Sequence, residues 1–231
     1  MVRKTAETQP ERERLSKEAV VDRGLELADG GGLESLTIRK LAQSLGVTPM
    51  ALYWHFRSKD ELLSALAERV WGELDLARDA DEPWIAQFRR IFGSLIRVLR
   101  SHPAAPDLLM HDTKRSEAAL RATEVALEVL RDAGFGPVHA SAIARQALWT
   151  GIILVRSDPA VHYDVPREEL DEHLRKDRLT LSLLPEARFP RLVECAVEMT
   201  DPGDPEFHYQ LGIDMFTAGV EAASHRQDAA L

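Results

Sequence analysis

Residues 36–59 include Arg39, Lys40, Arg57 and Lys59 and contain no Asp or Glu. The whole chain carries 38 acidic and 29 basic residues, a net charge of −9. An acid-free window in so acidic a chain makes one locally positive face, the footprint of a surface that meets a polyanion. Inside the window lies Pro49-Met50-Ala51-Leu52-Tyr53-Trp54-His55-Phe56. At about 100° per residue, Leu52 and Phe56 share one face of a short helix. Val47 joins that face, which suits packing on Leu41, Ala42 and Leu45. Met50, Tyr53 and Trp54 then point elsewhere, towards a second packing partner or towards a ligand surface. A helix about 10 Å wide fits the DNA major groove, where aromatic side chains meet thymine methyls and phosphates. Taken one at a time, Tyr53 and Trp54 are as well explained by packing. The acid-free window and the small Ala51 at the helix crossing favour contact with DNA.

Other candidate chemistry is thinner. Asp29-Gly30-Gly31-Gly32 follows a helix and leads to no Gly-Lys-Ser/Thr, so it is not a phosphate loop. Glu169 and His173 stand four apart, with His162, Asp164 and Glu172 nearby, but the run around them reads as a solvated helix face, and no metal is expected. Cys195 is the single cysteine, which rules out a disulfide framework, and it reads as a small buried hydrophobe. No Ser-His-Asp set, paired-carboxylate motif or nucleotide loop stands out, so neither an enzyme nor a cofactor is expected.

The elements that must position these residues are helices. Apolar residues recur at spacings of three and four along the chain, and the expected class is all-α. Residues 1–14 read as a flexible arm, 15–60 as a helix-turn-helix domain and 61–231 as a larger helical domain for ligand sensing and dimerisation. Helices are expected over 16–28, over 37–46 with Thr37 as N-cap, and over 48–56 with Thr48 as N-cap and Pro49 first. A fourth runs from the capping box Ser58-Lys59-Asp60-Glu61 to about residue 79. Beyond it helices are expected over 84–101, 116–133, 138–156, 167–184, 191–199 and 205–225, punctuated by Pro and Gly. Residues 1–60 carry ten basic and nine acidic side chains, the remainder nineteen and twenty-nine, so the negative charge resides in the second part. No apolar run reaches membrane-spanning length and the first fifteen residues hold no signal-peptide core, so a cytoplasmic location is expected.

The last helix has two apolar stripes. Phe207, Leu211, Met215, Ala218 and Ala222 form one; Tyr209, Ile213, Phe216 and Val220 form another. One stripe suits the chain's own core and the other a second copy. The helix over 138–156 carries Ala140, Ala144, Ala147 and Gly151, small residues that permit close approach. Two such helices per subunit would build a four-helix dimer interface, with Gly151 and Gly219 expected at its closest approach. A second set, Phe88, Ile91, Phe92 and Leu95 with Met110, His111, Trp149 and Ile152, is apolar and broad enough to line a pocket for an apolar or aromatic effector. Taken singly, each of these eight suits a plain core as well.

The stretch from Leu36 to Phe56, with the helix before it and Ser58-Lys59-Asp60-Glu61-Leu62-Leu63 after it, closely resembles the tetracycline-repressor (TetR) family. The Leu-Tyr-Trp-His segment is similar to the tetracycline-repressor branch itself. The resemblance covers roughly residues 15–75. It implies a homodimer that places two recognition helices in successive major grooves of a palindromic operator. It puts Arg39, Thr48, Pro49, Met50, Tyr53, Trp54, His55 and Lys59 at DNA-facing positions. It also implies a pocket in the larger domain, linked to the reader through the fourth helix. His111 falls near the place of a metal-ligating histidine in the tetracycline repressor, but its flanking residues and its spacing from Trp84 differ, so tetracycline–magnesium binding is not expected. The function read here is a ligand-responsive repressor. A constitutive DNA-binding protein without effector, and an all-α enzyme or carrier with a vestigial helix-turn-helix, are the alternatives.

Overall fold

The computed structural model describes residues 15–111, 116–158, 167–201 and 203–228, with the backbone alone at 111, 167–168 and 226–228. The expected arm over 1–14 and the segment holding His162 and Asp164 lie outside the described residues. Among the described residues every regular element is helical: α1 (Lys17–Gly31), α2 (Ile38–Ser44), α3 (Pro49–Tyr53), α4 (Lys59–Trp71), α5 (Trp84–Ser101), α6 (Ala105–His111), α7 (Glu117–Asp132), α8 (Pro137–Arg156), α9 (Arg167–Ser182), α10 (Pro190–Glu194) and α11 (Pro205–Asp228). Short 3-10 turns occupy Leu33–Ser35 and Glu198–Thr200. The architecture is an N-terminal helix-turn-helix unit on a larger all-helical domain.

Local chemistry sets the helix starts. Hydroxyls of Ser16, Thr37, Thr48, Ser58 and Ser116 accept the N–H three residues on, satisfying donors that the first turn leaves free. Glu61, three residues after Ser58, turns its carboxylate back to accept from the Arg57 N–H at 2.7 Å, one residue before the cap. Gly46, at φ +67°, makes the sharp turn between α2 and α3 that a side chain would strain.

Several ends differ from expectation. The first helix absorbs Gly30 and Gly31 and stops at Gly32. The fourth stops at Trp71, not near residue 79, because tertiary bonds claim the following backbone. Ser94 Oγ accepts from Asp75 N–H at 2.8 Å, and Arg90 donates to the Ala77 carbonyl at 2.6 Å. α6 was not expected; Pro106 sits in its first turn, where a missing N–H costs nothing. The stretch 191–199 holds only α10 and part of a 3-10 turn. Cys195 is exposed rather than buried.

α4 is the shared wall. One side packs on α1 and the other on α6 and α7. A continuous apolar cluster runs from Val20 and Leu25 through Leu52, Phe56, Leu62 and Leu66 to Leu99, Leu109 and Ile152. α5 is central, against α7, α8 and α11. α8 is, among the described residues, the one helix long and apolar enough by length and composition to cross a membrane, a length the sequence pattern was not expected to reach. It packs on α5, α7 and α11, and much of its apolar surface is left uncovered within one chain.

His102 clamps the two parts together. Its Nδ1 lies 2.7 Å from Asp29 Oδ2 on α1, and its Nε2 3.0 Å from Glu73 Oε2 just past α4. The second Asp29 oxygen accepts from Ala104 N–H at 3.0 Å, and Arg69 engages Glu73 at 2.6 Å. Two ring nitrogens facing two carboxylates suit the doubly protonated imidazolium. Burial opposes that charge, but the hydrogen bonds and charges of Asp29 and Glu73 outweigh it, and the pKa of His102 lies above its ordinary 6.5. A pKa raised by folding contributes its full stability below the unfolded value and loses it as pH rises through the folded one. The melting-temperature gap between wild type and His102→Gln is therefore expected to be widest below pH 6.5 and to close at higher pH. A gap independent of pH would refute the imidazolium clamp.

Candidate nucleic-acid interface and ligand cavity

α3 divides its residues as its periodicity requires. Leu52 and Phe56 are each 1% exposed and pack with Leu41 and Ala42. On the outer side Met50 is 68%, Tyr53 47% and Trp54 86% exposed. An exposed tryptophan and methionine side by side are costly in water and need a reason outside the chain. Thr48 and Pro49 are exposed at the start of the helix, His55 is half-buried in the turn that follows it, and Arg39 and Lys59 are exposed on α2 and α4. The Thr48 oxygen accepts from Ala51 N–H at 3.4 Å, leaving the hydroxyl proton to donate outward.

The cations of this face have no ion-pair partner among the described residues. Arg39, Lys40, Arg57 and Lys59 form no ion pair with another described residue, whereas Arg69, Arg78, Arg89, Arg90 and Arg100 are all paired. The acid-free window thus becomes a patch of uncommitted charge around the exposed aromatics. Such a patch can neutralise phosphates, and a short helix at its centre can enter a groove. Lys40 and Arg57 belong to this patch although only Arg39 and Lys59 were expected at DNA-facing positions.

The second site is a cavity of about 390 Å³ between α4, α5, α7 and α8, within the size range of small-molecule sites. α5 contributes Phe88, Ile91, Phe92 and Leu95, as expected from its apolar face. The other expected residues fall elsewhere. Met110, on α6, is 49% exposed and outside the wall. The α8 face that closes the cavity carries Ala144, Arg145 and Leu148, and Trp149, one residue round the helix, turns away to the surface. Ile152 is buried in the core cluster. The His111 side chain lies outside the described residues. Trp71, at the end of α4, and Leu120, on α7, line the cavity and were not expected there. No apolar periodicity distinguishes a wall residue from a core residue, so only the tertiary arrangement identifies them.

The cavity is mechanically tied to α4. Glu68, one turn before Trp71, accepts from Ser116 Oγ at 2.6 Å and from Ala118 N–H at 3.0 Å. It therefore caps α7 with a negative charge at the positive end of the helix dipole. Elsewhere, no group of three or more His, Cys, Asp or Glu is placed to hold a metal ion among the described residues. His173 faces Asp177 at 3.5 Å.

Comparison with known proteins matches both parts of the chain to one family. Residues 20–66 match the family model described as bacterial regulatory proteins, tetR family, and residues 77–224 match the tetracyclin repressor-like C-terminal domain. An HTH-type transcriptional regulator of Saccharopolyspora erythraea is 31% identical over 214 residues, covering 91% of this chain and 86% of that protein. The tetracycline repressor protein class C of Escherichia coli is 30% identical over 222 residues, covering 90% of this chain and 91% of that protein. Among solved structures, apo ActR from Streptomyces coelicolor superposes with a TM-score of 0.78 at 22% identity, covering 93% of this chain and 98% of that one.

Proposed function

Because this chain belongs to the tetR family, and is thus a DNA-binding, ligand-responsive transcriptional regulator rather than an enzyme, we propose that it is a cytoplasmic repressor that binds a palindromic operator as a homodimer and is released by a small apolar or aromatic effector. Arg39, Thr48, Pro49, Met50, Tyr53, Trp54, His55 and Lys59 are its DNA-facing residues. Phe88, Ile91, Phe92 and Leu95, joined by Trp71, hold the effector.

One observation carries this reading. α4 begins six residues after Tyr53 and ends with Trp71 in the cavity wall, so a single rigid helix touches both sites. An effector that displaces Trp71, or moves α7 and with it the Glu68 cap, tilts α4 and changes the spacing of two recognition helices in a dimer. Release requires the effector to prefer the non-binding spacing, since equal affinity for both shifts nothing.

The dimer rests on the uncovered faces. Phe207 and Met215, 67% and 68% exposed, lie with Leu211 on the free stripe of α11, while Tyr209, Phe216 and Val220 turn inward. α8 crosses α11 where Leu154 meets Gly212, and exposed Ile153 and Leu211 stand beside that crossing. Gly151 does not belong to this face: a Cβ there would meet Leu95 and Ile96 at 3.3 Å, so it serves the packing of α8 on α5. Gly219 has open space before it.

Filling the cavity tests the effector reading. Ala126→Phe, on the α7 wall, is expected to retain operator affinity in vitro within about twofold, while a reporter under the operator no longer responds to the growth conditions that induce it with wild type. Unchanged induction would show that the effector binds elsewhere.

A further inference from the structure

The cavity also carries a charge preference, an inference that rests on reading it as the effector site. Among the described residues its polar groups are few. Thr123 donates its hydroxyl proton to the Ala119 carbonyl at 2.8 Å, and Ser141 to the Pro137 carbonyl at 2.7 Å, so both protons are committed within their own helices. Trp71 is 6% exposed, and its indole Nε1 is buried with no hydrogen-bond partner among the described residues. Among the described residues Arg145 is the single charged residue of the wall, and it forms no ion pair with another of them. Among the described residues no Asp, Glu or His lines the cavity.

Among the described residues this wall offers one uncommitted charged donor, the Arg145 guanidinium, and no carboxylate or imidazole acceptor. A cationic ligand would bring its charge into an apolar space facing Arg145 with nothing to neutralise it. A neutral hydrocarbon would make no use of the Arg145 guanidinium. A ligand with an apolar ring body and an anionic group suits this wall: the anion pairs with the Arg145 guanidinium, whose fork suits carboxylate or sulfonate, and the ring body meets the apolar side chains. Arg145 is itself exposed, at the rim, so the anionic end would face the mouth and the ring body would lie against Phe88, Phe92 and Leu95.

We propose that the effector class of this protein is an apolar, ring-containing organic anion, selected by Arg145. Two dyes with one aromatic skeleton separate charge from shape: anionic 8-anilinonaphthalene-1-sulfonate and neutral 1-anilinonaphthalene, titrated by fluorescence into the full-length protein. The anion is expected to bind at one per chain and roughly five- to tenfold more tightly than the neutral dye, the modest factor reflecting an exposed partner. Arg145→Gln should remove that advantage and leave the neutral dye unchanged, with Arg145→Lys restoring most of it. Ala126→Phe should reduce both dyes, placing them in the cavity. Equal binding of the two dyes to wild type, or an Arg145→Gln variant that keeps the advantage, would overturn the inference while leaving the cavity reading intact. If neither dye binds at one per chain, the cavity reading fails and the inference falls with it.

Discussion

A variant with alanine at both Tyr53 and Trp54 is expected to bind the operator no better than it binds random duplex, a loss of roughly a thousandfold or more. Both side chains are largely exposed, so their removal leaves the core of α1–α4 intact. Circular dichroism, melting temperature and dimer mass should match wild type. Leu52→Ala is the contrast: it deletes a side chain 1% exposed and should lose binding by destabilising the unit, at about 2–5 kcal/mol. The cation patch adds a second signature. Wild-type affinity should fall steeply with salt, and neutralising Lys59 should weaken all sequences alike and flatten that slope by about one phosphate contact.

The second large effect concerns assembly. Met215→Asp puts a charge on the free stripe of α11, at a position 68% exposed in one chain, so the subunit should fold unchanged. In the proposed dimer the charge is buried in both copies without a partner, at a cost of about 4 kcal/mol, roughly a thousandfold in dissociation constant. Light scattering at micromolar concentration should then report a dimer for wild type and a monomer for the variant. Operator binding should fall with it, because half-site recognition depends on the pair. A variant that remains dimeric would move the interface away from α11.

How much of this was legible in the sequence depends on whether a feature is local. N-caps at Thr37, Thr48 and Ser58 were legible because a hydroxyl and an N–H three residues apart make the same bond in any context. The division of α3 into Leu52 and Phe56 against Tyr53 and Trp54 follows from helical angle alone. So do the two stripes of α11, of which one proves buried and the other bare. Features set by distant partners were hidden. The end of α4 depends on Ser94 and Arg90, nineteen and thirteen residues from the atoms they bind. Gly151 read as an interface residue but faces α5, since a small residue signals close approach without saying to which neighbour. Trp149 and Arg145 show the same limit: both lie on an apolar helix, and only the position of α7 and α5 decides that Arg145 borders the cavity and Trp149 does not. The clamp of His102 on Asp29 and Glu73 joins residues 73 and 29 positions apart and left no mark in the sequence pattern.

The central claim is that α3, presented twice by a symmetric dimer, reads DNA. It is tested most directly by selecting bound duplexes from a randomised pool with wild-type protein and, in parallel, with the Tyr53 and Trp54 double-alanine variant. Wild type is expected to enrich an inverted repeat whose half-sites lie about one helical turn apart, bound at about 10⁻⁸ M or tighter, while the variant enriches nothing. Enrichment of the same sequence by both proteins, or no inverted repeat with wild type, would contradict the account.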